Sequence, residues 1–372
     1  MRHNMINEKI MFFASSISYG GAEKMLCFVA NSLAKSGYAV TVVNLQEKKG
    51  EEQKLQEEIE HIRLQPSSFR YIGKIKQWMD LIKIAKRKKP DIIISFKFTP
   101  NYLAAGIGKL LRIPVIVSER ADPAKEDLSS IKARIYWNLI NSADGGVFQT
   151  KYAQQYYKKH LQKEGTIIEN PVYTTRKSET EKKNGQDSHI VVSVGRLDNE
   201  QKRYDIMLKA FLLFHEEYAC YKLKIYGTGP DEAQILKWIT ENGMNDYVTL
   251  EGYTNDPIGV LLNSELFLIT SDYEGISNAL LEAMSAGLPV VSTDSSPGGA
   301  GMLIQNGYNG ILVPTGDIQA IADALKRYAS DAILKELCAK NAMEVNKRFA
   351  PDRVAKRWED YILKVMDNYK RR

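Results

Sequence analysis

Short aliphatic runs alternate with longer helical patterns along this 372-residue chain, and the alternation is played through twice. Strand, crossover helix and strand in that rhythm specify a parallel sheet covered by helices on both faces. In the first half the pattern predicts strands at 10–14, 39–44, 91–95, 114–118 and 166–169, with helices near 22–36, 71–88, 100–111, 127–141 and 150–161. In the second half strands are predicted near 190–194, 222–226, 248–251, 266–269, 289–293 and 311–313. A chain this long exceeds one ordinary core, so two domains are expected. The polar stretch 173–188 contains no large aliphatic residue and reads as a linker or an exposed loop. The expected division is therefore 1–172, a hinge at 173–188, and 189–350. Residues 351–372 form a closing helix in which Val354, Trp358, Tyr361, Ile362, Val365 and Met366 recur at helical spacing.

The points where strands meet helices carry the chemistry. After the aliphatic run Leu266–Ile269 comes Glu274-Gly275-Ile276-Ser277-Asn278-Ala279-Leu280-Leu281-Glu282, a polar loop entering a helix. Backbone N–H groups at such a helix start suit phosphate, and flanking carboxylates accept from sugar hydroxyls. A nucleotide sugar has both. The alternative is that both glutamates are merely solvated, a carboxylate in a first helical turn being ordinary dipole chemistry. Upstream, a strand ends in Gly195-Arg196-Leu197 with Lys202 close behind, a cationic pair at the carboxyl end of a strand. Arginine can grip a phosphate bidentately and lysine adds a compact charge. Leu223–Tyr226 runs into Gly227-Thr228-Gly229-Pro230, and Ile10–Ala14 leads to Gly20-Gly21-Ala22-Glu23 at the start of a helix. Both are glycine-lined turns of phosphate size.

Gly-Gly-Ala-Glu, Gly-Arg-Leu followed by Lys, Gly-x-Gly-Pro and Glu-x7-Glu stand in one chain in one order. Together they resemble the retaining glycosyltransferases of family 4, over nearly the whole length. The resemblance implies the GT-B fold: α/β, two Rossmann-like doubly wound domains facing across a cleft, with the last helix crossing back to the first domain. It implies that a hexose or N-acetylhexosamine moves, with retention, from a nucleotide sugar, taken to be UDP-linked, to a glycan acceptor. A polyprenyl-diphosphate-linked acceptor in bacterial surface-polysaccharide assembly is the commonest setting. Arg196 and Lys202 would neutralise the departing diphosphate, although relatives usually place the lysine one residue nearer, and Arg203 is the alternative cation. Glu282 would accept from the ribose and Glu274 from the transferred sugar. Ile276, Ser277 and Asn278 would offer backbone N–H groups. Gly20, Gly21, Gly195, Gly227, Gly229 and Gly275 would line the donor site, unless Gly227 and Gly229 only make a tight turn. Many relatives have an aromatic residue and Gly-Leu-Pro where this chain has Gly275-Ile276-Ser277, so the sugar is open. In the first domain Glu119 would orient or deprotonate the acceptor hydroxyl and Arg120 hold an anionic group; the alternative is a surface ion pair. No cofactor or metal is expected. The chain contains no Asp-x-Asp, and the two cations would take an ion's place.

Composition narrows the setting. Hydrophobic residues make up 44% and charged residues 26%, as in ordinary globular proteins. Cys27, Cys220 and Cys338 lie far apart without metal-ligand spacing, which suits a reducing compartment. No run approaches a membrane span and no secretion signal is evident, so a cytoplasmic protein is expected. A formal charge of +6 and the basic amphipathic stretch 71–89, with Ile72, Ile75, Trp78, Met79 and Ile82, suggest an anionic membrane surface as partner. The alternative is a helix packed on the sheet with a solvated basic end. Nucleic acid is not expected, since no recognition motif accompanies the charge. Nor is a dinucleotide, since no Gly-x-Gly-x-x-Gly follows any strand. Two readings compete with transfer: a GT-B nucleotide-sugar epimerase, which needs no acceptor, and a GT-B subunit that binds without catalysis.

Overall fold

The computed structural model describes residues 8–18, 20–47, 52–65, 70–120, 122, 130–158, 165–173 and 189–372. The chain forms two compact units, Met1–Asn170 with Asp352–Arg372, and Pro171–Pro351. Of the expected linker, only Tyr173 lies within the described residues.

The first unit runs β1 (Lys9–Ala14), α1 (Gly21–Lys35), β2 (Ala39–Asn44), β3 (Glu60–Arg63), α2 (Arg70–Lys88), β4 (Ile92–Phe96), α3 (Phe98–Leu111), β5 (Val115–Ser118), α4 (Ile131–Ile140), β6 (Gly145–Phe148), α5 (Lys151–Lys158) and β7 (Thr166–Ile167). Its parallel sheet has the order β3-β2-β1-β4-β5-β6-β7, with Phe12 opposite both Val42 and Ile94. Side chains alternate across a strand, so β1 feeds two cores. Ile10, Phe12 and Ala14 pack with Met25, Leu26 and Val29 of α1. Met11 and Phe13 face Leu81 of α2, Leu103 of α3 and Trp137 of α4.

Two strands of this sheet escape the sequence pattern. β3 has the polar sequence Glu-His-Ile-Arg and lies at the sheet edge, where none of its four residues is fully buried. β6 begins Gly145-Gly146, which looks like a turn. A Cβ on Gly145 would come within 2.9 Å of Tyr361 and Val365 on the closing helix, so the missing side chain is what admits that helix.

The second unit runs β8 (Ile190–Val194), α6 (Asn199–Lys202), α7 (Tyr204–His215), β9 (Lys222–Tyr226), α8 (Glu232–Glu241), β10 (Val248–Gly252), α9 (Pro257–Leu262), β11 (Leu266–Ile269), α10 (Asn278–Ser285), β12 (Val290–Thr293), α11 (Gly299–Leu303), β13 (Ile311–Val313), α12 (Ile318–Ser330), α13 (Ala332–Ala342) and α14 (Val345–Arg348). Its sheet is parallel, in the order β10-β9-β8-β11-β12-β13. Leu266 and Leu268 join one core with Phe211 and Leu325, while Phe267 and Ile269 join the other with Leu281 and Met284.

The closing helix, α15 (Pro351–Lys370), belongs to the first unit. Val354, Trp358, Ile362, Val365 and Met366 are buried in the same core as β1 and α1. Trp358 stacks on Phe96, and Arg357 pairs with Glu169.

Candidate active site

In each sheet the strand order reverses once, and open α/β sheets bind ligands beyond the strand ends at that reversal. In the second unit the reversal lies between β8 and β11. The loop after β8 carries Gly195, Arg196 and Lys202; the loop after β11 carries Glu274. The two sequence motifs therefore meet at the topological switch point of one sheet.

Their contact is direct. Lys202 Nζ donates to Glu274 Oε2 at 2.5 Å, and Gln201 Nε2 and Ser271 Oγ each reach the same oxygen at 3.3 Å. Among the described residues no hydrogen bond occupies Oε1, and the ammonium spends one of its three N–H groups. The side chains are 11% and 19% exposed, enough shelter to strengthen the pair and enough opening for a ligand. Arg196 is the outward cation: its side chain is 66% exposed and lies 3.8 Å from Asp198.

Local geometry explains how Lys202 reaches the site despite its extra loop residue. Residues 199–202 wind into the short turn α6, and Arg203 follows in the left-handed region, φ 53°. That conformation costs a non-glycine residue about 1–2 kcal/mol. Arg203 offsets the cost with two hydrogen bonds to Asp205 at 3.0 Å and one to Asp272 at 2.7 Å. These raise its pKa above the usual arginine range. Burial pushes the Asp205 carboxyl up, but Arg203, the Asn199 side chain and the Ile206 N–H outweigh it and leave the pKa lowered. Thr270 Oγ1 ties the turn to the end of β11 through the carbonyls of Lys202 and Arg203. Of the two candidate cations, Lys202 faces Glu274 and Arg203 braces the turn.

The glycines fall into place around this loop. A Cβ on Gly227 would lie 1.8 Å from the Gly195 oxygen, and one on Gly229 would lie 2.2 Å from the Leu197 oxygen. Both exist so that the loop after β9 can support the Arg196 loop, and Leu197 N–H donates to Thr228 O at 3.0 Å. Gly275 is crowded in the same way by Gly299, whose Cβ would lie 1.9 Å from the Gly275 oxygen. Ser277 caps α10 through the Leu280 N–H, so Ile276, Ser277 and Asn278 lie at the entrance of the helix. Because α10 begins at Asn278, Glu282 stands in its second turn, not the first, which corrects the dipole explanation for that residue.

In the first unit the reversal falls between β1 and β4. There Gly20 precedes α1, and the Glu23 carboxylate folds back over it, 2.5 Å from where a Cβ would stand. Glu23 pairs with Lys97, which follows β4 with φ 73° and ψ 159°, a region natural to glycine. Gly20 and Gly21 thus sit beside an ion pair the sequence pattern does not reveal. Its only signal is the lone lysine just past a wholly buried strand.

Glu119 and Arg120, one strand further on, are not a surface pair. Glu119 is buried and its Oε1 accepts from the Arg120 N–H. The Arg120 guanidinium donates to Ser118 Oγ, Ile168 O and Asn170 Oδ1, and lies over the rings of Phe96 and Trp358. Burial lowers its pKa to about 9 against the pull of Glu119 and Glu169, so it remains a cation at neutral pH. These contacts are internal ones, and the one with Trp358 helps hold α15 to the sheet.

Comparison with known proteins decides the family. Residues 19–176 match the family model "Glycosyltransferase Family 4", and residues 175–345 match "Glycosyl transferases group 1". The chain belongs to the family 4 glycosyltransferases. It is 31% identical over 166 residues to an exopolysaccharide phosphotransferase of Streptomyces coelicolor, covering 44% of this chain and 18% of that one. It is 25% identical to the GalNAc-alpha-(1->4)-GalNAc-alpha-(1->3)-diNAcBac-PP-undecaprenol alpha-1,4-N-acetyl-D-galactosaminyltransferase of Campylobacter jejuni, covering 96% of this chain and 99% of that one. The crystal structure of Anabaena HepE in complex with UDP shares the fold, with a TM-score of 0.78 and 20% identity over 96% of this chain and 100% of that one. The chain spans 18%, 44% and 40% of the first three curated relatives it matches. This family 4 glycosyltransferase has the GT-B fold, made of two Rossmann-like units with one parallel sheet each.

Proposed function

We infer that the protein transfers a hexose or N-acetylhexosamine from a nucleotide sugar to a glycan acceptor in polysaccharide biosynthesis. The observation that carries this reading is the Lys202–Glu274 pair at the switch point of the second sheet, with Arg196 beside it. Cleaving a sugar–phosphate bond leaves negative charge on the diphosphate. Preorganised cations stabilise that charge most effectively where water is sparse. Lys202, with two N–H groups to spare, and the outward Arg196 would take that task, without a metal ion. Glu274 Oε1 would accept from a hydroxyl of the transferred sugar, and Glu282 from the ribose. UDP is the nucleotide of the HepE complex, which supports a uridine donor here. The Campylobacter relative is named for an undecaprenyl-diphosphate-linked acceptor, which supports a lipid-linked acceptor. Retention follows from the family resemblance, leaving group and acceptor using the same face of the sugar. Glu119 is the acceptor-side base in this reading.

The test is a screen of UDP- and GDP-sugars against polyprenyl-diphosphate-linked acceptors, with the product linkage determined by NMR. Transfer with an α-linked product from an α-linked donor is expected. Glu274→Ala should lower turnover about a hundredfold or more, the cost of ~3 kcal/mol of transition-state stabilisation, with the thermal transition retained. Full turnover by Glu274→Ala, or conversion of the donor without any acceptor, contradicts the proposal.

A further inference from the structure

Among the described residues, three side-chain donors converge on one oxygen of Glu274, and only one of them carries charge. Lys202 Nζ lies 2.5 Å from Oε2, and Gln201 Nε2 and Ser271 Oγ reach the same atom at 3.3 Å. An ion pair needs no neutral helpers to stay together, so what the other two add is direction. The terminal torsion of a glutamate is broad, and an ammonium is a compact charge with rotatable donors. Lys202 alone would hold Oε2 and let the rest of the carboxylate turn about it. Donors that reach Oε2 from α6 and from the loop after β11 restrict that turning and leave Oε1 as the presented oxygen.

Gln201 does more than Ser271. Its amide nitrogen also donates to the Tyr273 carbonyl at 3.1 Å. A carbonyl and a carboxylate can only accept, which sets the nitrogen of the amide, and not its oxygen, against them. The two N–H groups are thus divided between the Glu274 carboxylate and the backbone of the residue before it. The turn itself is anchored without this side chain. The Asp272 N–H donates to the Gln201 carbonyl at 2.9 Å, and the Lys202 N–H to the Asp198 carbonyl at 2.8 Å. Asp231 Oδ2 accepts from the Asn199 N–H at 2.6 Å, and Thr270 Oγ1 donates to the carbonyls of Lys202 and Arg203. All these bonds use backbone groups of the turn, so the Gln201 amide is left for Glu274.

We propose that Gln201 is a positioning residue for transfer: it fixes the plane of the Glu274 carboxylate so that Oε1 meets a hydroxyl of the transferred sugar. The inference rests on the reading of Glu274 as the carboxylate that binds this sugar. The amide bonds the glutamate and not the cations, so its loss falls on turnover and not on nucleotide affinity.

The experiment is a double-mutant cycle on the full chain, with Gln201→Leu, Glu274→Ala and the two combined. Turnover is measured with the UDP- and GDP-sugars and polyprenyl-diphosphate-linked acceptors of the screen above, and UDP affinity by calorimetric titration. Gln201→Leu should lower kcat about tenfold, the low end for a hydrogen bond to a charged group. Its UDP affinity and thermal transition should match the parent's. In the Glu274→Ala background the same substitution should cost less than about twofold, because the residue acts through the glutamate. Gln201→Glu keeps the shape but sets a third acceptor against two, and should fall below Gln201→Leu; it also carries the cycle if the leucine variant does not fold. Parental turnover by Gln201→Leu, an equal loss with and without Glu274, or a tenfold loss of UDP affinity overturns the proposal. Full turnover by Glu274→Ala instead overturns the reading of the site on which the proposal rests.

Discussion

Arg203 shows how much of a site depends on a residue whose side-chain contacts are with its neighbours in the fold. It occupies a left-handed position, φ 53°, where glycine would sit without strain, and it holds Asp205 and Asp272. Conformation and ion pairing therefore pull in opposite directions on substitution. Arg203→Ala loses the pairs and keeps the strain, whereas Arg203→Gly loses the pairs and removes it. Arg203→Ala should thus be the less stable variant by about 1 kcal/mol, measured by urea denaturation of both proteins. Equal stability would mean the turn relaxes elsewhere. Both should turn over more slowly than wild type, because the turn delivers Lys202. At this scale the glutamates and cations of the second unit stand out in the sequence as chemical types at suggestive spacing. Their partnership does not: Lys202 and Glu274 are 72 positions apart and meet only because β8 and β11 are neighbours. Arg120 misleads for a related reason. A charged residue after a strand looks solvent-facing, yet two aromatic rings and two carbonyl-side acceptors enclose it.

Among the elements, continuous aliphatic strands are the legible ones, since burial on both faces demands such runs. β6 is the counterexample: Gly145 and Gly146 carry no such signal, because the strand lies beneath α15 and must leave room for it. The Tyr361 hydroxyl also accepts from the Gly146 N–H at 3.0 Å. The burial of α15 is visible as helical periodicity, but where it packs is not, since nothing local tells Trp358 to stack on Phe96. That contact makes the closing helix part of the first unit's core. Trp358→Ala should lower the stability of that unit by ~3–5 kcal/mol, the range for emptying a buried aromatic site. Calorimetry resolving two transitions would show the loss in one of them. A uniform shift of both, or none, would mean that α15 is not integral to the first unit.

For the molecule as a whole, the two units repeat one plan, a parallel sheet whose order reverses once and whose reversal holds a charged pair. In the second unit the pair is Lys202 with Glu274; in the first it is Lys97 with Glu23. Both members of the former stand in sequence motifs, whereas in the latter only Glu23 does and Lys97 does not, so the second unit's pair is the more legible. The central claim is that side-chain cations, without a metal ion, neutralise the nucleoside diphosphate at the second sheet's switch point. Calorimetric titration of UDP into the wild-type protein, Arg196→Ala and Lys202→Ala, all in excess EDTA, tests it most directly. Wild-type binding should survive the chelator, and each variant should bind roughly ten- to a hundredfold more weakly, the range for losing a hydrogen bond to a charged group. Abolition of wild-type binding by EDTA, or undiminished affinity in both variants, would contradict it.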